Sequence, residues 1–164
     1  MEDKKEKTNL EELKEIYSEF KEKYNLPEFY EMNKAFDIEE IQEIETDFFL
    51  RRVRKIISEK IVGYLRFIEI ILNPNNAPIF FFKLIKKLDV SDRENLSKIY
   101  EQLGNMEIEI VRLDLDYSEE KEAEFIKIIF DFFDSFKGDV LKIIGKMVNG
   151  SDGSEKKEGR GYFG

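Results

Sequence analysis

The sequence predicts an all-α fold, an irregular antiparallel bundle of four main helices and two short ones with a disordered C-terminal tail. Three observations predict it. Apolar residues recur at three- and four-residue spacing through almost all of residues 8–148, as on helices that each bury one face. The interruptions are short and carry breaker chemistry: Asn25, Pro27 and the run "NPNNAP" at 73–78. After Asn149 the chain turns to glycine, serine and charge with no apolar period. The expected organisation is a flexible N-terminus (1–7), one helical domain (8–148) and a flexible tail (149–164).

Thr8 is placed to cap a first helix reaching about Tyr24, with Leu10, Leu13, Tyr17 and Phe20 on one face. "LPEFYEMNKAF" (26–36) restarts a short helix, with Pro27 at an early position that tolerates its missing N–H. From Asp37 to Asn73 the spacing predicts one helix of roughly 35 residues, about 50 Å long. Leu50, Val53, Ile57, Ile61, Tyr64, Ile68 and Ile71 form its stripe. A second stripe (Phe49, Ile56, Phe67, Ile70) makes its later half apolar on more than one side, as for a helix with several neighbours. Gly63 in that half implies close approach of another helix.

"NPNNAP" then forces a turn. In "IFFFKLIKKL" three consecutive phenylalanines point about 100° apart, so they cannot share one interface. The leading expectation is a short helix plugging the centre or end of the bundle; the alternative is an exposed aromatic groove for a partner. Ser91, with Glu94 three residues on, reads as a capping box for the next helix, whose stripe runs Leu96, Ile99, Leu103, Met106, Ile110, Leu113, Tyr117. A strand over 107–115 is the alternative there. Ser118 begins the last helix, which stays in phase from Phe125 to Met147 with a bend or fray expected at Gly138-Asp139.

Composition excludes several chemistries. No cysteine means no disulfide, no thiolate metal site and no cysteine nucleophile; no histidine removes the commonest general base and transition-metal ligand. Twenty-seven basic against thirty-six acidic residues give a net charge of -9, which repels nucleic acid and anionic membrane and favours protein partners. No charge-free stretch of membrane-spanning length and no leader segment is found, so a cytoplasmic protein with no membrane partner is expected. Abundant Lys, Glu and Ile fit a thermophilic source or an AT-rich genome.

Carboxylates are the one abundant catalytic type left. "EEIQE" (39–43) resembles the first half of the E-E-x-x-E pattern of all-helical nucleotide pyrophosphohydrolases, which implies magnesium held between helices. The matching E-x-x-D is missing, since Val62 and Leu72 stand three residues after Glu59 and Glu69. "RLDLDYSEEKEAE" (112–124) makes an acidic corner without the glycine of a calcium loop. No enzyme, no cofactor and no metal are expected.

The basic cluster "RRVRK" (Arg51, Arg52, Arg54, Lys55) opposes the global field. It is read as intrahelical pairing with Asp47 and Glu59 or, alternatively, as a contact for phosphate, nucleic acid or an acidic partner. "LPEFY" (26–30) with "RRVRKI" (51–56) resembles the first-domain pattern of GINS complex subunits, helical scaffolds of replisomes. The interval is shorter than in that family, and nothing after residue 72 suggests its small strand domain.

The tail ends in "GRGYFG". Tyr162 and Phe163 are apolar anchors on a polar linker, with Arg160 and the carboxylate of Gly164 as flanks, so a partner-binding tail is the leading expectation. The ending resembles sliding-clamp-binding peptides, although Gly159 and Lys156 stand where those carry an aliphatic residue and a glutamine. Docking of the tail on its own bundle is the alternative. The functional expectation is a non-enzymatic interaction or adaptor protein that tethers a protein partner. Nucleic-acid assembly binding through the basic cluster is second, and a homodimer is compatible with the exposed apolar stripes.

Overall fold

The computed structural model describes residues 8–42, 44 and 47–149. Six α-helices succeed one another: α1 (Asn9–Tyr24), α2 (Phe29–Phe36), α3 (Phe49–Leu72), α4 (Ile79–Ile85), α5 (Val90–Leu115) and α6 (Glu119–Asn149). Four are long and two short, as the periodicity predicts. Residues 107–115 lie within α5, so the long heptad-like register prevails over the short alternating window.

The helix starts follow from side-chain chemistry. Thr8 accepts from the Glu11 amide while the Glu11 carboxylate accepts from the Thr8 amide, a complete capping box at α1. At α5 the cap is Asp89, one turn-box earlier than Ser91: Asp89 and Asp92 exchange backbone-to-carboxylate bonds at 2.9 and 3.1 Å. A carboxylate accepts more strongly than a hydroxyl beside the positive helix end, which favours Asp89 over Ser91. α6 runs as helix through Gly138 without interruption.

The expected single helix from Asp37 to Asn73 is instead divided. Asp37 adopts a left-handed conformation (φ 56°) as it ends α2, a 3-10 turn spans Ile38–Glu40, and Phe48 is left-handed again (φ 62°) before α3 begins. Burial explains the detour. Ile38 and Ile41 both enter the core, and the Phe48 ring meets Tyr117 edge-on at 4.7 Å, contacts that compensate the strain of a positive φ. The Asp37 carboxylate is then held by Lys60 from α3.

The interhelical contacts fix the topology. Arg54 early in α3 meets Asp114 late in α5 and Glu122 early in α6, while Asp92 early in α5 meets Lys146 late in α6. α3 and α6 therefore run in the same direction, and α5 runs antiparallel to both. One continuous core joins all six helices. α1 and α2 lie over the beginning of the α3–α6 seam, where Phe20 stacks on Phe49 at 5.2 Å and Phe36 packs on Phe133 at 5.1 Å. α2 has 8 residues and α6 has 31, lengths of about 12 and 46 Å, so the cover stops well before the seam does.

Two packing expectations are corrected. The short helix plugs the bundle only in part: Ile79 is 82% and Phe80 64% exposed and Phe82 is exposed, while Phe81 and Leu84 pack against the core and Ile85 enters it. α4 is too short, at 7 residues, to bury more than one side. Among the described residues nothing lies within 4 Å of where a side chain at Gly63 would begin, so none of their helices presses against that glycine.

Candidate functional site

The basic cluster and the acidic corner, far apart in sequence, are brought together. Arg54 is 1% exposed and donates from Nε to Glu122 Oε2 at 2.6 Å, and from Nη2 to Glu122 Oε1 at 3.2 Å and Asp114 Oδ1 at 2.7 Å. Burial opposes its charge, but the bonds from Glu122 and Asp114 prevail and hold the guanidinium above its ordinary pKa. Arg51 donates to the Leu113 carbonyl at 3.2 Å, lies 4.7 Å over the Tyr117 ring and 5.7 Å over Phe48, and sits 3.6 Å from Glu122.

The arrangement resolves an electrostatic conflict. Cations at the start of α3 face the positive end of their own helix, yet the same place holds the carbonyl end of α5 and the acidic first turn of α6. The acidic partner of Arg54 thus lies within the chain itself. Arg52 is half-buried, and Lys55 is exposed. Glu119, at the same corner, accepts from Lys23 at 2.7 Å and Tyr24 at 2.5 Å; these bonds hold its carboxyl below the ordinary value. Among the described residues no three carboxylates converge on a cation-sized space. No helix of the described residues is long and apolar enough to cross a membrane.

The second feature lies where the cover of α1 and α2 ends. Along the later half of the α3–α6 seam runs a groove of about 420 Å³, walled by Tyr64 and Phe67 from α3 and by Phe136, Val140, Leu141 and Ile144 from α6. Phe133 closes one end: its ring touches Phe36 of α2, Tyr64 at 6.0 Å and Phe136 at 5.6 Å. Lys137 is the one charged residue in the lining, and its ammonium lies 5.9 Å over Phe133. Leu141 is 58% exposed at the rim. A volume of this size is that of an ordinary recognition pocket, and such apolar lining offers burial with little polar desolvation.

The sequence carries a signal for the groove without marking it as a site. Phe67 and Ile70, the later part of the second stripe on the long helix, imply a neighbour; the structure instead leaves Phe67 half-buried in the groove and Ile70 exposed. Arg160, Tyr162, Phe163 and Gly164 lie outside the described residues, as do residues 1–7 and Glu43 of the acidic motif. No known family, no curated protein and no solved structure matches this chain.

Proposed function

We propose that this protein is a non-enzymatic interaction module whose working surface is the groove between α3 and α6, which receives an apolar anchor presented by a protein partner. The carrying observation is the groove's wall: four aromatic rings and four aliphatic side chains (Ile68, Val140, Leu141 and Ile144), with Leu141 left more than half exposed at its rim. Exposed contiguous apolar surface is costly in water and marks binding sites. Rigid aromatic walls lose little entropy when a ligand enters, so the gain from burial is retained.

The net charge of -9 favours a protein or peptide over nucleic acid as the occupant. Binding of nucleic acid through Arg51, Arg52, Arg54 and Lys55 is supported less, because Arg54 is already committed to Glu122 and Asp114.

The test is a peptide-display selection against the full chain, counter-selected with Leu141→Glu, whose helix content is checked by circular dichroism. Enriched peptides should carry two or more aromatic or aliphatic anchors and bind the variant at least tenfold more weakly, about 1.4 kcal/mol. Enrichment of peptides that bind both proteins equally, or only of charged peptides released by salt, would sink the reading.

A further inference from the structure

The groove's lining extends along α6 to Ile144, near the end of the helix, and the chain that follows carries side chains of matching chemistry. Ile144 and Val140 stand five and nine residues before Asn149, about 8 and 14 Å along the helix axis, and Phe133 about 24 Å. Residues 150–164 read "GSDGSEKKEGRGYFG", in which Tyr162 and Phe163 are the only apolar side chains. Twelve residues, and so thirteen Cα–Cα steps, separate Asn149 from Tyr162. A chain of glycine-rich, polar composition and that length has a root-mean-square reach of about 20 Å and a maximum near 45 Å.

We infer that the groove's occupant in the free protein is the chain's own aromatic pair, Tyr162-Phe163. The proposal rests on reading the groove as a docking site and adds its regulation. The typical reach of the linker falls between the nearer and farther ends of the groove, the condition under which a tethered ligand is present at its highest effective concentration, on the order of millimolar. Even a weak hexapeptide then occupies the groove for much of the time. The chemistry matches as well. Two aromatic rings meet walls made of aromatic rings, where edge and stacked contacts are favourable. Lys137 at the wall supplies a donor for the Tyr162 hydroxyl and a cation for either ring face.

A partner's anchor must displace this peptide, so the tail sets a threshold. The apparent affinity of any groove ligand is lowered by the fraction of time that the tail is bound, and the displaced tail becomes free for a contact of its own.

The chain has no native cysteine, so a single Glu158→Cys substitution can carry a nitroxide label. Amide broadening in the full-length labelled protein is compared with the same protein carrying Tyr162→Ala and Phe163→Ala. The expected result is broadening at Tyr64, Phe67 and Phe136–Ile144 that falls at least several-fold in the double variant. Broadening confined to the last turn of α6, broadening centred on Phe80 and Phe82 of α4, or groove broadening unchanged in the double variant each overturns the proposal. The displayed peptides of the preceding test separate the two readings. Groove-dependent peptides with no tail contact sink only the self-docking inference, and tail contact without any groove-dependent foreign peptide sinks only the partner reading. If both stand, the double variant binds selected peptides more tightly, by twofold or more.

Discussion

Arg54 and Glu122, 68 residues apart in the chain, form a fully buried two-point ion pair, with Nε to Oε2 at 2.6 Å and Nη2 to Oε1 at 3.2 Å. The pair ties α3 to α6 at the end where α1, α2 and α5 also converge. Two charges removed from water tolerate each other only while both are present. Glu122→Gln is therefore expected to lower unfolding stability in urea by about 3–5 kcal/mol, and Arg54→Met with Glu122→Leu to recover most of that loss. A single-variant cost below about 1 kcal/mol would contradict the buried pair.

Two other contacts contribute to the acid and alkaline limits of stability. Lys23 and then Tyr24 hold the Glu119 carboxyl below its ordinary 4.5. The unfolded chain takes up that proton first, so this contribution is complete above pH 4.5 and is lost as pH falls through the lower folded value. The bond to Asp37 raises the Lys60 ammonium above 10.5, so its contribution is complete below pH 10.5 and is lost as pH rises through the higher folded value. With no histidine in the chain, the thermal midpoint should be flat between roughly pH 6 and 8. Thermal melts across pH check this, and Glu119→Gln should flatten the acid limb.

The cap of α5 offers a sharp local comparison. Asp89 accepts the Asp92 amide, and Lys146 from α6 reaches the Asp92 carboxylate at 2.7 and 2.9 Å. Asp89→Ala should lower the thermal midpoint measurably, while Ser91→Ala should leave it unchanged. Equal effects would show that the cap is not where the hydrogen bonds place it.

Gly63 stands mid-helix with open space around its absent side chain. Gly63→Ala should then raise stability by about 1 kcal/mol, the helix-propensity difference alone. A loss on chemical denaturation would mean that something covers this flank. In the groove, truncation of the buried Phe136 to Ala is expected to cost about 3–5 kcal/mol, against less than about 1 kcal/mol for the exposed Leu141→Ala.

Most of the architecture was legible because each helix declares itself through one stripe and a cap. Thr8, Leu13 and Tyr17 define α1 without reference to the rest of the chain. What local pattern could not reveal was decided by distant residues. Phe48 leaves the helical conformation where its ring meets Tyr117, and Ile38 and Ile41 turn inward into the core beside α3. The basic cluster was legible as charge, but its partners Asp114 and Glu122 arrive only through the antiparallel course of α5. The groove needed the lengths of α2 and α6 compared in space. A stripe on Phe67 and Ile70 says that a helix flank is apolar and not whether anything covers it.

The placement of α6 has a consequence for biosynthesis. It supplies Phe125, Ile126, Ile129, Phe136, Ile143 and Met147 to the core and is the last of the described helices to be translated. At about 5–20 residues per second its 31 residues take roughly 2–6 s to appear. Until α6 is available, Ile57 and Ile61 of α3 and Leu103 of α5 have no α6 to pack against. The nascent chain therefore completes its core only once α6 has left the ribosome, and slow release of α6 would lengthen the exposure of that apolar surface to chaperones and to aggregation.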